Sequence, residues 1–151
     1  MSQLAEALAA HPFLAGLDPQ HLQLILPCAS LVSFPINETF VKEGEEARHL
    51  YLLRSGRVAV TIHRPRRGQR TVYSLGEGDV VGMGWLDLPQ YWFFDVRSVE
   101  LTRAIALEAA CLAQVTAAHP DLGYELLQRF ARLLLAKIRL LKLQLVDFYG
   151  S

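Results

Sequence analysis

The spacing of apolar residues changes twice along the chain, and each change predicts a different kind of structure. From Gln3 to Ala10, Leu4, Ala7 and Leu8 recur at helical intervals. His11-Pro12 ends that helix, because the residue before a proline is pushed out of the α region. Asp18-Pro19 starts a second helix with aspartate as N-cap and proline at the first helical position; Leu22, Leu24, Ile25 and Leu26 supply its apolar side, and Pro27 stops it. After Ser30 the period falls to two. Leu31–Phe34, Thr39–Lys42, His49–Leu53, Arg57–Ile62, Arg70–Leu75, Asp95–Val99 and Leu101–Leu107 are short runs rich in branched and aromatic residues. Turn signals separate them at Pro35–Asn37, Glu43-Gly44, Ser55-Gly56, Pro65–Gly68 and Gly76–Gly78. Short strands at spacings of about 8–12 residues predict a sandwich or jelly roll.

Beyond Ala109 the pattern is helical again, with a break and a new start at His119-Pro120-Asp121. Leu127, Ala131, Leu134, Ile138, Leu141, Leu145 and Phe148 then follow alternating steps of four and three, a heptad seam. Leu122, Leu126, Phe130 and Leu133 form a second row on another face, and Arg129, Arg132, Lys137, Arg139 and Lys142 occupy the rest. A monomer would leave Ile138, Leu141, Leu145 and Phe148 in water, so the seam predicts a homodimer rather than a helix enclosed by its own domain.

Length and charge narrow the classes. At 151 residues the chain is expected to form one domain, and 15 basic side chains balance 15 acidic ones. That neutrality argues against direct nucleic-acid contact, which calls for a basic excess; the arginines of Arg64–Arg70 are read as a solvated hairpin tip. Cys28 and Cys111 have no metal-ligand spacing and are expected as buried free thiols. No basic leader precedes the first apolar patch, which contains Glu6, and no apolar run reaches about 18 residues, so a cytoplasmic protein without a membrane span is expected. Catalysis finds no support: there is no H-x-H of a cupin metal centre, no G-x-S-x-G elbow and no usefully spaced Cys/His pair.

The stretch Gly76–Ser98 carries the densest signal. Two Gly-rich turns flank Val80 and Val81, and the aromatic run Tyr91, Trp92, Phe93, Phe94 follows. Each ring buries about 150–250 Å² when enclosed. Such a run roofs a pocket, meets a partner, or folds back as a core strand with Trp92, Phe94 and Val96 on one face.

The segment Val41–Gly56, with its framing Gly44 and Gly56, resembles the signature of cyclic-nucleotide-binding domains of the Crp/Fnr regulator family. His11–Leu22 is similar to that family's N-terminal helices, Gly76–Gly82 to the strand leading into its phosphate-binding cassette, and His119-Pro120-Asp121 to the start of its dimer helix. Leu145–Gly150 is similar to the hinge that precedes a winged helix-turn-helix in full regulators; a free-standing sensor domain and one that continues past Ser151 both fit. The resemblance implies an α+β, mainly β fold: a double-stranded β-helix or jelly roll (31–108) between short N-terminal helices (1–30) and C-terminal helices (109–149) that end in a dimerisation helix.

The family's cassette holds the nucleotide diester with an arginine and with backbone N–H groups at a short helix, and the ribose hydroxyl with a glutamate. Counted from Gly82, the glutamate position is Met83; counted back from Pro120-Asp121, the arginine falls on Trp92 and its hydroxyl-bearing neighbour on Phe93. Arg97 lies five residues on, at a spacing that starts it on the opposite face of a strand from Trp92. The base-contacting positions of the dimer helix fall on Lys137 and Ile138. Losing one charge-assisted contact to a desolvated phosphate costs about 2–5 kcal/mol, so usual cAMP binding is not expected.

Gly82, Met83, Gly84, Trp85, Leu86, Trp92, Phe93, Lys137 and Ile138 are therefore the candidate ligand site, expected to take an apolar or aromatic effector, or none. Alternatives are atypical cyclic-nucleotide binding through the backbone donors of Gly82–Leu86, and a ligand-free dimerisation module. No cofactor is expected. Haem-binding relatives exist in the family, which leaves haem as a variant for which His11, His21, His49, His63 and His119 are the axial candidates.

Overall fold

The computed structural model describes residues 2–150, without the side chains of 148–150. Two compact units are present, Met1–Val115 and Thr116–Ser151.

The first unit opens with helix α1 (Gln3–Ala10), capped by Ser2, whose hydroxyl accepts from the Ala5 N–H at 3.1 Å. Helix α2 (Pro19–Ile25) starts as its cap predicts, with Asp18 Oδ1 accepting from the Gln20 N–H at 2.8 Å. Eight strands follow: β1 (Ala29–Phe34), β2 (Thr39–Val41), β3 (His49–Ser55), β4 (Arg57–Arg64), β5 (Gly68–Gly76), β6 (Val80–Val81), β7 (Asp95–Ser98) and β8 (Thr102–Glu108). They form two four-stranded antiparallel sheets, ordered β1-β8-β3-β6 and β2-β7-β4-β5. Non-consecutive neighbours in both sheets are the crossovers of a jelly roll, so the expected fold class holds.

Side-chain alternation places the core. Leu53, Val81 and Ala104 from one sheet and Val41, Val58, Val60 and Val96 from the other form a single buried cluster. Leu50, Leu52, Val80, Ile105 and Leu107, which point the other way, are also buried. The strands β3 and β8 are thus covered on both faces, which is why their sequences read as nearly continuous apolar runs. Gly56 turns β3 into β4 with φ +94°, where a Cβ would stand 2.4 Å from the Leu101 carbonyl oxygen.

The cysteines correct an expectation. Cys28 and Cys111 are not free thiols but a disulfide, with Cα atoms 5.5 Å apart across 83 residues of sequence. The β1–β8 ladder causes the meeting: Ala29 lies opposite Leu107, so the residue before β1 and the first turn of α3 (Ala109–Ala118) are brought to the same end of the sheet. No spacing rule reveals a pairing made by strand register.

The second unit consists of the end of α3 and helix α4 (Pro120–Gly150). Leu122 and Leu126 are buried, whereas Leu127, Ala131, Leu134, Ile138, Leu141 and Leu145 of the seam are exposed on the single chain. The Phe148 side chain lies outside the described residues. Leu135, Leu140, Leu143 and Val146 are exposed as well, so the apolar surface of α4 is wider than the seam.

Candidate functional site

The chain leaves β6 at Gly82, where a Cβ would stand 2.9 Å from the Leu50 side chain; the absence of a side chain lets the loop cross β3 closely. Met83 is half-buried against the roll core, Gly84 adopts φ +87°, and Trp85 is buried. The loop then turns outward, leaving Leu86 and Leu88 exposed, and passes the cis Leu88–Pro89 bond.

The return leg decides the fate of the aromatic run. It pairs in extended form with the Gly44–Ala47 segment: the Ala47 N–H donates to Gln90 O at 2.7 Å, the Trp92 N–H to Glu45 O at 2.9 Å, and the Gly44 N–H to Trp92 O at 2.8 Å. Extended backbone alternates its side chains. Trp92 (5% exposed) therefore enters the core between Phe93 (62%) and Tyr91 (56%), which point to solvent. Phe94 is half-buried, 5.6 Å from the Trp92 ring between centroids. Of the three roles open to this run, its inward members follow the core-strand pattern, although β7 begins only at Asp95.

The Trp92 side chain belongs to the cluster of Val41, Ala47, Val58, Val60, Val81 and Val96, with Met83, Tyr73 and Leu75 packed against it. Among the described residues the buried polar side chains are His11, Thr61, Ser98 and Thr102. No arginine or acidic residue is among them, although one guanidinium atom, Arg64 Nε at the end of β4, is buried without a hydrogen-bond partner. Arg97 Nη1 donates to Asn37 Oδ1 at 3.1 Å, while Val96 beside it is buried. Asp95 is engaged by the Glu43 N–H at 2.8 Å and by Gln69 Nε2 at 3.0 Å. The cluster around Trp92 itself contains no charged side chain.

Sequence reasoning missed a second aromatic group in the roll. Phe34 and Phe40 stack at 3.9 Å, and Tyr51 meets both edge-on at 5.7 and 5.3 Å. The signal was present in the alternation of β1 and β3, but only the pairing of strands brings the rings together. Burial raises the pKa of both Tyr51 and Tyr73.

A cleft of about 550 Å³ lies elsewhere on the first unit, with Glu46, Arg48, His49, Leu88, Pro89 and Glu108 among its lining residues. Glu46 and Arg48 form an ion pair there. Of the candidate ligand residues in the first unit, Gly82, Met83, Gly84, Trp85, Leu86, Trp92 and Phe93, none lines this cleft. Lys137 and Ile138 lie on α4 in the second unit, half-buried and exposed respectively.

His11 is committed to the fold. Its Nε2 meets Leu53 O at 3.0 Å and its Nδ1 accepts from the Phe13 N–H at 3.1 Å, a pairing that needs the neutral Nε2–H tautomer. With both nitrogens engaged it has no position for haem iron. Among the described residues no group of three or more His, Cys, Asp and Glu side chains could hold a metal ion. No helix among them is long and apolar enough to cross a membrane.

A family profile described as the cyclic nucleotide-binding domain matches residues 31–119. The CRP-like cAMP-activated global transcriptional regulator of Mycobacterium tuberculosis is 25% identical over 127 residues, 84% of this chain and 57% of that protein. The chain thus spans little more than half the length of this curated relative. A cyclic nucleotide-binding domain from Methylobacillus flagellatus KT superposes with a TM-score of 0.80 at 20% identity, covering 95% of this chain and 81% of that one. The catabolite activator protein of Thermus thermophilus superposes with a TM-score of 0.71 at 26% identity, covering 92% of this chain and 63% of that one.

Proposed function

The chain belongs to the cyclic nucleotide-binding domain family, and from that premise we propose that it is a non-catalytic regulatory module whose nucleotide site is closed by its own core. The observation that carries this reading is the placement of Trp92. The residue that falls at the family's arginine position on counting back from Pro120-Asp121 is a buried indole among valines, and Met83, which falls at the glutamate position on counting from Gly82, packs on the same cluster. A diester anion forced into that space would lose its hydration without gaining a counter-charge, at a cost of several kcal/mol. The site therefore takes an apolar or aromatic effector, by displacement of core side chains, or none. Similarity to a CRP-like transcriptional regulator and to a catabolite activator protein supports a regulatory role, which we place in the cytoplasm.

Output runs through α4. Leu134, Ile138, Leu141 and Leu145 are exposed on the single chain and spaced as a heptad seam, which supports a two-fold homodimer in which effector binding or partner contact favours one inter-helix arrangement over another. Thermal melting with cyclic AMP, cyclic GMP and a set of aromatic carboxylic acids tests the ligand class. A ligand present at 100 times its dissociation constant stabilises by about 2.7 kcal/mol, a shift of several degrees. The reading requires no shift with either cyclic nucleotide; a saturable shift with one of them would overturn it.

A further inference from the structure

The disulfide joins two segments that strand pairing and a backbone hydrogen bond also hold near each other. Cys28 closes the N-terminal helical segment and is followed at once by Ala29, which pairs with Leu107 at the end of the β1–β8 ladder. Cys111 stands in the first turn of α3, which is independently tied by the Ala109 N–H to Arg48 O bond at 2.8 Å and by the buried Ala109 and Leu112. The bond fixes α3 to the segment before β1.

The two sulfurs differ in access. Cys28 is 6% exposed, whereas Cys111 is only half-buried and follows Glu108, Ala109 and Ala110, three residues that line the 550 Å³ cleft. Cys111 is thus the more exposed of the two residues. The chain holds no third cysteine, so the pair has no alternative intramolecular partner and its oxidation is a two-position change.

We propose that Cys28–Cys111 is a reversible thiol–disulfide switch, opened by a dithiol reductant of the protein or small-molecule class, which fastens or releases the first turn of α3. A thiolate of the dithiol attacks Cys111 Sγ, the Cys28–Cys111 bond breaks, and Cys28 leaves as a thiolate that takes up a proton. The second thiol of the reductant then attacks its own sulfur in the mixed disulfide, so that Cys111 leaves as the second thiol. Two electrons and two protons pass to the protein, and the dithiol becomes a disulfide. Disulfides are rare where thiols are kept reduced, and those that occur there are mostly transient or redox-sensing. In chain order α3 is followed by α4, the proposed output helix.

Native protein is equilibrated over a series of reduced-to-oxidised dithiothreitol ratios, trapped with an alkylating agent for mass analysis, and followed by hydrogen exchange. Reduction is expected to be reversible without unfolding, with exchange in residues 109–115 rising about tenfold or more while β3 and β8 stay protected. A bond that yields only when the protein unfolds, or reduction that leaves 109–115 as protected as before, overturns the switch. The Cys28→Ser/Cys111→Ser double variant is expected to fold, to show the reduced protein's exchange pattern, and to ignore the dithiol ratio. Failure of that variant to fold would mark the bond as a structural staple and refute the proposal.

Discussion

Replacing Trp92 by alanine tests the placement on which the closed site depends. The indole is 5% exposed and shares its cluster with Val41, Val58, Val60, Val81 and Val96. A buried tryptophan removes about 250 Å² from water, worth roughly 6 kcal/mol at about 25 cal/mol per Å² as an upper bound. Truncations of buried Phe or Trp cost about 3–5 kcal/mol once partial collapse of the cavity is allowed. Trp92→Ala should therefore lower the unfolding free energy by about 4 kcal/mol, read as a fall in the denaturant midpoint at unchanged slope. Phe93→Ala is the internal control. That ring is 62% exposed and adjacent in sequence, so its loss should change stability by about 0.5 kcal/mol or less. Added indole should restore part of the Trp92→Ala loss, because an apolar cavity stays dry and accepts an apolar guest. A loss below about 1 kcal/mol for Trp92→Ala, or equal losses for the two variants, would refute the core placement.

Other consequences are open to simple measurement. Leu141→Arg, in the exposed seam of α4, should convert a dimer to a monomer in sedimentation equilibrium; an unchanged mass would remove the seam from the interface. Burial lowers the His11 pKa, while the Leu53 carbonyl and then Asp79 oppose the shift. Its linked stability is fully present above the unfolded value near 6.5 and declines as pH falls below it, so urea midpoints should drop from pH 7 to pH 5 by more than in His11→Gln. Gly56→Ala places a Cβ 2.4 Å from the Leu101 oxygen at positive φ, and should destabilise by at least about 2 kcal/mol in the same assay.

Local chemistry made much of the fold legible. Asp18-Pro19, the branched apolar runs of β3 and β4, and the uninterrupted helix after Pro120 are each written in adjacent residues, and the structure repeats them nearly at the expected bounds. The disulfide was hidden because strand register, not spacing, unites Cys28 with Cys111. At the candidate site the family resemblance implied that two charged anchors are replaced, but not where the residues at those positions point. That depends on hydrogen bonds from Gly44, Ala47 and Trp92 across about 45 residues of chain, which set Trp92 inward and Phe93 outward. The Phe34–Phe40–Tyr51 group escaped notice because three different strands, β1, β2 and β3, contribute one ring each and only the fold brings the rings together.

Calorimetric titration of the protein with cyclic AMP, followed by cyclic GMP, confronts the closed site directly. With Trp92 in the roll core, Met83 packed against it and no charged side chain in that cluster to receive the diester, neither ligand should give a saturable heat up to about 1 mM, the level at which binding free energy falls to about 4 kcal/mol. A one-to-one isotherm in the micromolar range with either nucleotide would contradict the account.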